Sequence, residues 1–295
     1  MPPTIRCTVV KKAASFTVIM AVIAICRSTS SAATFCSAGR LRTADKQPAD
    51  GAPAEIERIV KSLRERWPEI KIWVRGDSGF SREEIMAWCE DNEVDYLFGQ
   101  ARNQRLEKML SVEMAEAKKL YEATGQAARV FGELQYQTLE SWRRARRVVG
   151  KAEHLEKGAN PRFVVTSLGR EEYDARTLYE DHYCALGEME NRIKEQQLEL
   201  FADRTSTHYL KSNQLRLWLS SVAYVLMNEM RRLGLAETEM AQAQCGTIRL
   251  KLLKIGAQVQ ITIRRVVVRL ASSYPFQELF LAVYRRLRGM QPLLC

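Results

Sequence analysis

Asp77 is the first residue in this sequence whose type and position could support chemistry. It follows Ile70-Lys71-Ile72-Trp73-Val74-Arg75, in which apolar residues recur at every second place, and it opens the turn set Asp77-Ser78-Gly79 after Gly76. A carboxylate just beyond a strand's carboxyl end can hold a hard cation, and that end is where α/β folds gather their ligands. The same residues also suit a turn with no chemistry at all. Two basic groups offer a different capacity. Trp142-Arg143-Arg144-Ala145-Arg146-Arg147 sets four cations beside an aromatic, which suits a phosphate clamp with a stacking residue. Between Cys245 and Gln277 there are Arg249, Lys251, Lys254, Arg264, Arg265 and Arg269 but no Asp or Glu. Arg249 and Lys251 alternate with Ile248, Leu250 and Leu252, a pattern that puts cations on one face of a strand. Solvated faces look the same, so both patches are open to a bland reading.

These groups need elements to position them. Ser81 with Glu84 reads as a capping box for a short helix bearing Ile85, Trp88 and Cys89, and Val94 to Phe98 reads as a second strand. Strand, helix and strand make a βαβ unit with Asp77 at its first turn. Ahead of it, 54 to 67 is an amphipathic helix ended by Pro68, and 43 to 53 is a polar loop. Behind it, 103 to 124 is an exposed amphipathic helix stopped by Gly125. Residues 128 to 168 change to short strands around 129–134, 146–151 and 162–167, an antiparallel β insertion. Helix returns over 176 to 202. A longer helix, 213 to 233, is apolar nearly all round and reads as packed core, since Arg216 and Asn228 suit lipid poorly.

The chain has 295 residues, 46% of them hydrophobic, and a net charge of +10, enough for a real core and suited to a polyanionic partner, either nucleic acid or an anionic surface. Seven scattered cysteines without a Cys-x-x-Cys pair, and only three histidines, argue against a zinc site and a disulfide framework and suit a reducing compartment. Residues 1 to 35 point the other way. Lys11-Lys12, the apolar run Ala13 to Cys26 and Ser31-Ala32-Ala33 follow the pattern of a secretory signal, although the run is short for a membrane span.

RGDSGFSREEIMAWCEDNEVDYLFGQARNQRL, 75 to 106, resembles the region of the second catalytic Asp in DDE transposases of bacterial insertion sequences. YCALGEMENRIKEQQLELFADRTSTH, 183 to 208, resembles the third-acid segment of the group with a Tyr, Arg, Glu, Lys signature. The resemblance spans roughly 36 to 290. It implies a ribonuclease H-like α/β fold: a mixed sheet with flanking helices, incomplete here, an antiparallel β insertion and a basic α+β C-terminal region. The expected divisions are 1–35 unrelated or signal-like, 36–127 partial catalytic domain, 128–170 β insertion, 171–235 catalytic domain continued as helix, and 236–295 basic region.

The resemblance also implies cleavage and transfer of DNA strands at insertion-sequence ends by an oligomer. It implies two Mg2+ ions held by carboxylates, with Asp77 and Glu190 as catalytic and metal-binding acids. Tyr183 keeps its place in the signature, whereas Leu186 stands where the Arg belongs and Gln197 where the Lys belongs. Lys194, one helical turn after Glu190, could partly replace the lost phosphate contact. The family's first Asp has no counterpart: Asp45 and Asp50 both lie in the polar loop. These departures predict an N-terminally truncated, inactive copy whose sheet lacks the strands beside 70–74. Its expected setting is the cytoplasm, on the nucleoid and not on a membrane, with DNA ends, another copy or a full-length transposase as partners. The alternatives are a non-catalytic remnant that competes for element ends and, from the signal-like stretch, an exported basic protein.

Overall fold

The alternation at 70–75 produces a strand, Lys71–Gly76 (β4), with Ile72 and Val74 directed to one face and Trp73 and Arg75 to the other, all four buried. In this computed structural model, residues 4–12, 16–26, 33–43, 49–184 and 186–289 are described, with side chains at 41, 49–184 and 191–289. The chain divides into two units, Met1–Asn191 and Arg192–Cys295.

In the first unit, Thr4–Lys12 (β1), Phe16–Cys26 (β2) and Ala33–Thr43 (β3) form an antiparallel meander. β1 then runs parallel to β4, from Thr4 opposite Lys71 to Val9 opposite Gly76. Asp95–Gln100 (β5) pairs in parallel on the other side of β4. The strand order β3-β2-β1-β4-β5, with three strands antiparallel and two added in parallel, is the ribonuclease H-like sheet. The expectation that β4 lacks its neighbour is therefore corrected. A strand with partners on both edges can carry an unbroken apolar run, and such a run is indistinguishable by composition from a signal's apolar stretch. Residues 4–12 and 16–26 thus belong to the sheet, although the expected divisions set 1–35 apart from it.

Ala128–Tyr136 (β6), Arg146–Leu155 (β7), Gly158–Ala159 (β8) and Arg162–Thr166 (β9) form where short strands were expected. They pair antiparallel with one another as expected, and β9 also pairs antiparallel with β5, so these strands extend the same sheet. Helices Ala52–Arg66 (α1), Glu83–Asp91 (α2), Gln104–Met109 (α3) and Ser111–Thr124 (α4) contribute buried residues to one core. Ile56, Ile59, Val60 and Leu63 supply α1's share, as their spacing requires. Gly125 ends α4 with a left-handed backbone, φ 67°, as expected of a helix stop. The capping box is not formed. Arg82 takes the cap position of α2, and the Ser81 hydroxyl donates to the side-chain Oε1 of Gln100 instead. On the opposite face Trp73, Leu97, Val149 and Val164 are covered by Leu178 and Tyr179.

Ala175–Thr177 (α5) runs into a π-helical segment, Leu178–Tyr183, which leads to Leu186–Glu199 (α6). In the second unit Leu210–Glu229 (α7) ends in a π-helical turn, and Cys245–Ile248 (α8) does the same. Ala257–Ile261 (β10) and Val266–Leu270 (β11) form a separate hairpin, and Gln277–Gly289 (α9) follows. Tyr224, Met227, Cys245, Ile248 and Leu252 share a core with Val283 of α9. Two expectations fail here. Leu215, Trp218, Leu219, Val222 and Leu226 of α7 are exposed, so that helix is apolar without being buried all round. Arg249 and Lys251 lie in helix, because Ile248 and Leu252 enter the core four residues apart, a helical and not a strand spacing. Among the described residues no helix is long and apolar enough to cross a membrane.

Candidate active site

β4 delivers Asp77 to a tight turn. The Gly79 amide donates to Asp77 Oδ1 at 2.8 Å and the Phe80 amide to the Asp77 carbonyl at 3.1 Å, and Phe80 is fully buried. The turn closes only over a glycine, since a Cβ on Gly76 would lie 2.9 Å from the Phe80 ring. The half-buried carboxylate borders a cavity of about 500 Å³, which it shares with Ser78, Arg102, Arg162, Tyr179 and Tyr183.

Tyr183 is held there by close packing. Gly99, at the end of β5, lacks the Cβ that would stand 2.5 Å from the Tyr183 hydroxyl and 3.0 Å from the Ser78 nitrogen. The Tyr179 and Tyr183 rings lie 5.5 Å apart, and burial pushes the Tyr179 phenol above its ordinary range. The backbone of this segment is tied to β4 directly. The buried Arg75 guanidinium donates to the His182 carbonyl at 2.6 Å, and the His182 ring sits edge-on to Trp73 at 5.4 Å and to Tyr173 at 5.1 Å. Strand, turn and the entrance to α6 are therefore fixed to one another, and π-helical segments of this kind recur where a site needs a helix phase that regular α-helix does not supply.

Glu190 lies in the first half of α6, seven residues beyond Tyr183; its side chain is outside the described ones. Lys194 is exposed one turn later, and Gln197 is buried. The structure thus brings Tyr183 to Asp77 and sets Glu190 on the helix that starts beside them. The basic groups fare differently. Arg146 is buried and bridges Glu83 at 2.6 Å and Glu90 at 2.7 Å; Arg147 donates to Glu133 and to the carbonyls of Leu168 and Tyr173. Arg143 and Arg144 stay exposed but pair with Glu83 and Glu90. Trp142 is buried edge-on against Tyr136, with Arg146 over its ring, and offers no face to a base. Arg249 lies over Phe201 at 4.5 Å and Lys251 over Phe276 at 5.8 Å.

Arg102 and Arg162 escaped sequence reasoning. Arg102 stands just past the carboxyl end of β5, a place the strand-end rule could have marked; Arg162 gave no signal. Among the described lining of the cavity Asp77 is the one carboxylate, with two guanidinium groups beside it; a divalent ion there would draw its further oxygen ligands from elsewhere, Glu190 being the expected second acid. Among the described residues no three Asp, Glu, His or Cys side chains cluster as a metal site. Val9 is the last β1 residue paired with β4, opposite Gly76, so Val10 stands level with Asp77, and neither is an acid.

No curated protein matches the chain. The family model described as "Transposase DDE domain group 1" matches residues 33–292, which takes in β3, the Asp77 turn, Tyr183, Glu190 and the whole second unit. A strand-end acid, a tyrosine packed against its turn and a match over that range lead to one conclusion: the chain belongs to the transposase DDE domain family.

Proposed function

We propose that this protein derives from an enzyme that cuts and joins DNA strands at the ends of an insertion sequence, with Asp77 and Glu190 as the surviving acids and Mg2+ as the ion they would hold. The observation that carries the reading is the packing of Tyr183 against the Asp77 turn, because it joins the two sequence blocks on which the family match rests. Bound Mg2+ would activate the attacking oxygen and stabilise the leaving one. Tyr183 fixes one wall of the cavity, and Arg102 and Arg162 give it positive charge for a phosphate. Work on DNA places the protein in the cytoplasm, with a second copy or an intact transposase at the same ends.

Valine at positions 9 and 10 favours a second state of the same reading, in which the chain occupies DNA ends without cutting them. A strand-transfer assay with Mg2+ and DNA from the element's own termini tests both. The unmodified chain is expected to be silent, Val10→Asp to cleave, and Val10→Asp with Asp77→Ala or Glu190→Gln to be silent again. Activity in the unmodified chain that Asp77→Ala removes would mean that another acid completes the site. Activity indifferent to Asp77 refutes the assignment.

A further inference from the structure

The hairpin β10–β11 is unlike the rest of the second unit: every residue of both strands is exposed. Its pairing, Ala257 opposite Leu270 through Ile261 opposite Val266, sorts its side chains onto two faces. Gln258, Gln260 and Arg269 share one face with Val267, and Arg269 Nη1 donates to Gln260 Oε1 at 3.0 Å across the ladder. The other face is wholly apolar. The tip is narrow: the Thr262 amide donates to the Arg265 carbonyl at 2.8 Å and the Arg265 amide to the Thr262 hydroxyl at 3.1 Å, leaving Ile263 and Arg264 at the turn. Ile263 is fully exposed. No carboxylate occurs between Cys245 and Gln277, so nothing in this stretch offsets Arg264, Arg265 and Arg269.

We infer that this ribbon is a reading element for duplex DNA, entering the major groove with Gln258, Gln260 and Arg269 toward base edges while Arg264 and Arg265 hold flanking phosphates. A two-stranded ribbon fits the roughly 12 Å width of that groove, and Gln and Arg are the side chains that pair bidentately with adenine and guanine. A second protein chain on the apolar face is the weaker alternative. Five residues per strand give a face of about 17 by 10 Å, on the order of 170 Å², against roughly 800 Å² per partner in a stable interface. The inference rests on the proposed action on DNA and adds sequence choice, which backbone contacts alone do not give.

The test is selection of the full chain on a pool of randomised duplexes, followed by a salt titration on one fixed duplex. The unmodified chain is expected to enrich a motif. Gln258→Ala/Gln260→Ala should bind the enriched site roughly ten-fold more weakly while holding the fixed duplex as before. Arg264→Ala/Arg265→Ala should lower the slope of log affinity against log salt by about 2. A motif and slope indifferent to all four changes overturn the ribbon's role. So does binding to phosphatidylglycerol vesicles that alone depends on Arg264 and Arg265, or a change in self-association without one in DNA selection. A chain that binds no duplex at all refutes the action on DNA itself, which separates the two failures.

Discussion

Removing the Arg146 side chain should loosen the first unit by about 3 kcal/mol, the lower end of the range for breaking a buried ion pair. Its side chain is 3% exposed and makes four bonds to carboxylates, at 2.7 and 2.9 Å to Glu90 and at 2.6 and 3.2 Å to Glu83. Arg146→Ala leaves both glutamates largely buried with only the exposed Arg143 and Arg144 as cations, plus the Tyr96 hydroxyl on Glu90, which is why the lower figure applies. Loss of the guanidinium over Trp142 adds about 0.5–1 kcal/mol. Four of the five tryptophans, Trp67, Trp73, Trp88 and Trp142, belong to this unit, so its unfolding in urea can be followed by fluorescence. With a slope of about 2–3 kcal/mol/M the midpoint should fall by roughly 1–2 M. Arg146→Met with Glu83→Gln and Glu90→Gln should recover much of that loss, because no unpaired charge is left inside.

Acid supplies an independent check. Burial works against the charged form of both glutamates, but the Arg146 hydrogen bonds outweigh it and hold each below the ordinary carboxylate value. Groups lowered in the folded state stabilise it above the unfolded value and lose that contribution as pH falls through the folded one. The unmodified protein should therefore weaken below roughly pH 4–4.5, and Arg146→Ala should show a flatter acid limb. A midpoint for Arg146→Ala within about 0.2 M of the parent would refute this account of the network.

Three further outcomes are expected. Gly99→Ala forces Tyr183 away from the Asp77 turn and should cost about 1–3 kcal/mol; the loss should shrink in the Tyr183→Ala background, and equal losses in both would detach Tyr183 from this site. Glu195 is buried, and the Cys245 amide at 2.6 Å and Arg231 at 2.6 Å overcome that burial to lower its pKa. Glu195→Gln should thus destabilise the second unit above the ordinary carboxylate range and little below it, as Trp218 fluorescence would register. Burial and then the Glu195 charge push the Cys245 thiol up to about 12, so at pH 8 a maleimide should label the exposed Cys184 and spare Cys245 and Cys89, with mass mapping as the readout.

The βαβ unit was legible because its strand alternation, Gly-rich turn and helical stripe agree with one another, and Asp77 fell at its strand end for the same reason. Elsewhere two periods fitted the same letters. Ile248 to Leu252 satisfies a strand by alternation and a helix by its four-residue step, and only the surrounding core decides between them. The apolar run ending at Cys26 was ambiguous in another way, since neither a signal nor an inner strand needs polar residues. Ser81 was a sound cap by local rules and lost to a partner nineteen residues away, Gln100. Long-range pairing also hid the fate of Arg146 and Arg147: a run of arginines reads as a surface until the glutamates of α2 and β6 are found beside it.

The order of strands has a consequence for assembly. β1 precedes both of its partners along the chain, but only β2 follows it closely; its parallel partner β4 comes after the whole meander and α1. Adjacent hairpins close short loops, whereas β4 must close a long one. Until it does, one side of β1 remains an open edge able to recruit another chain. The strand that leads to Asp77 is thus expected to arrive late, and the cavity beside that carboxylate forms only in molecules whose sheet is already whole.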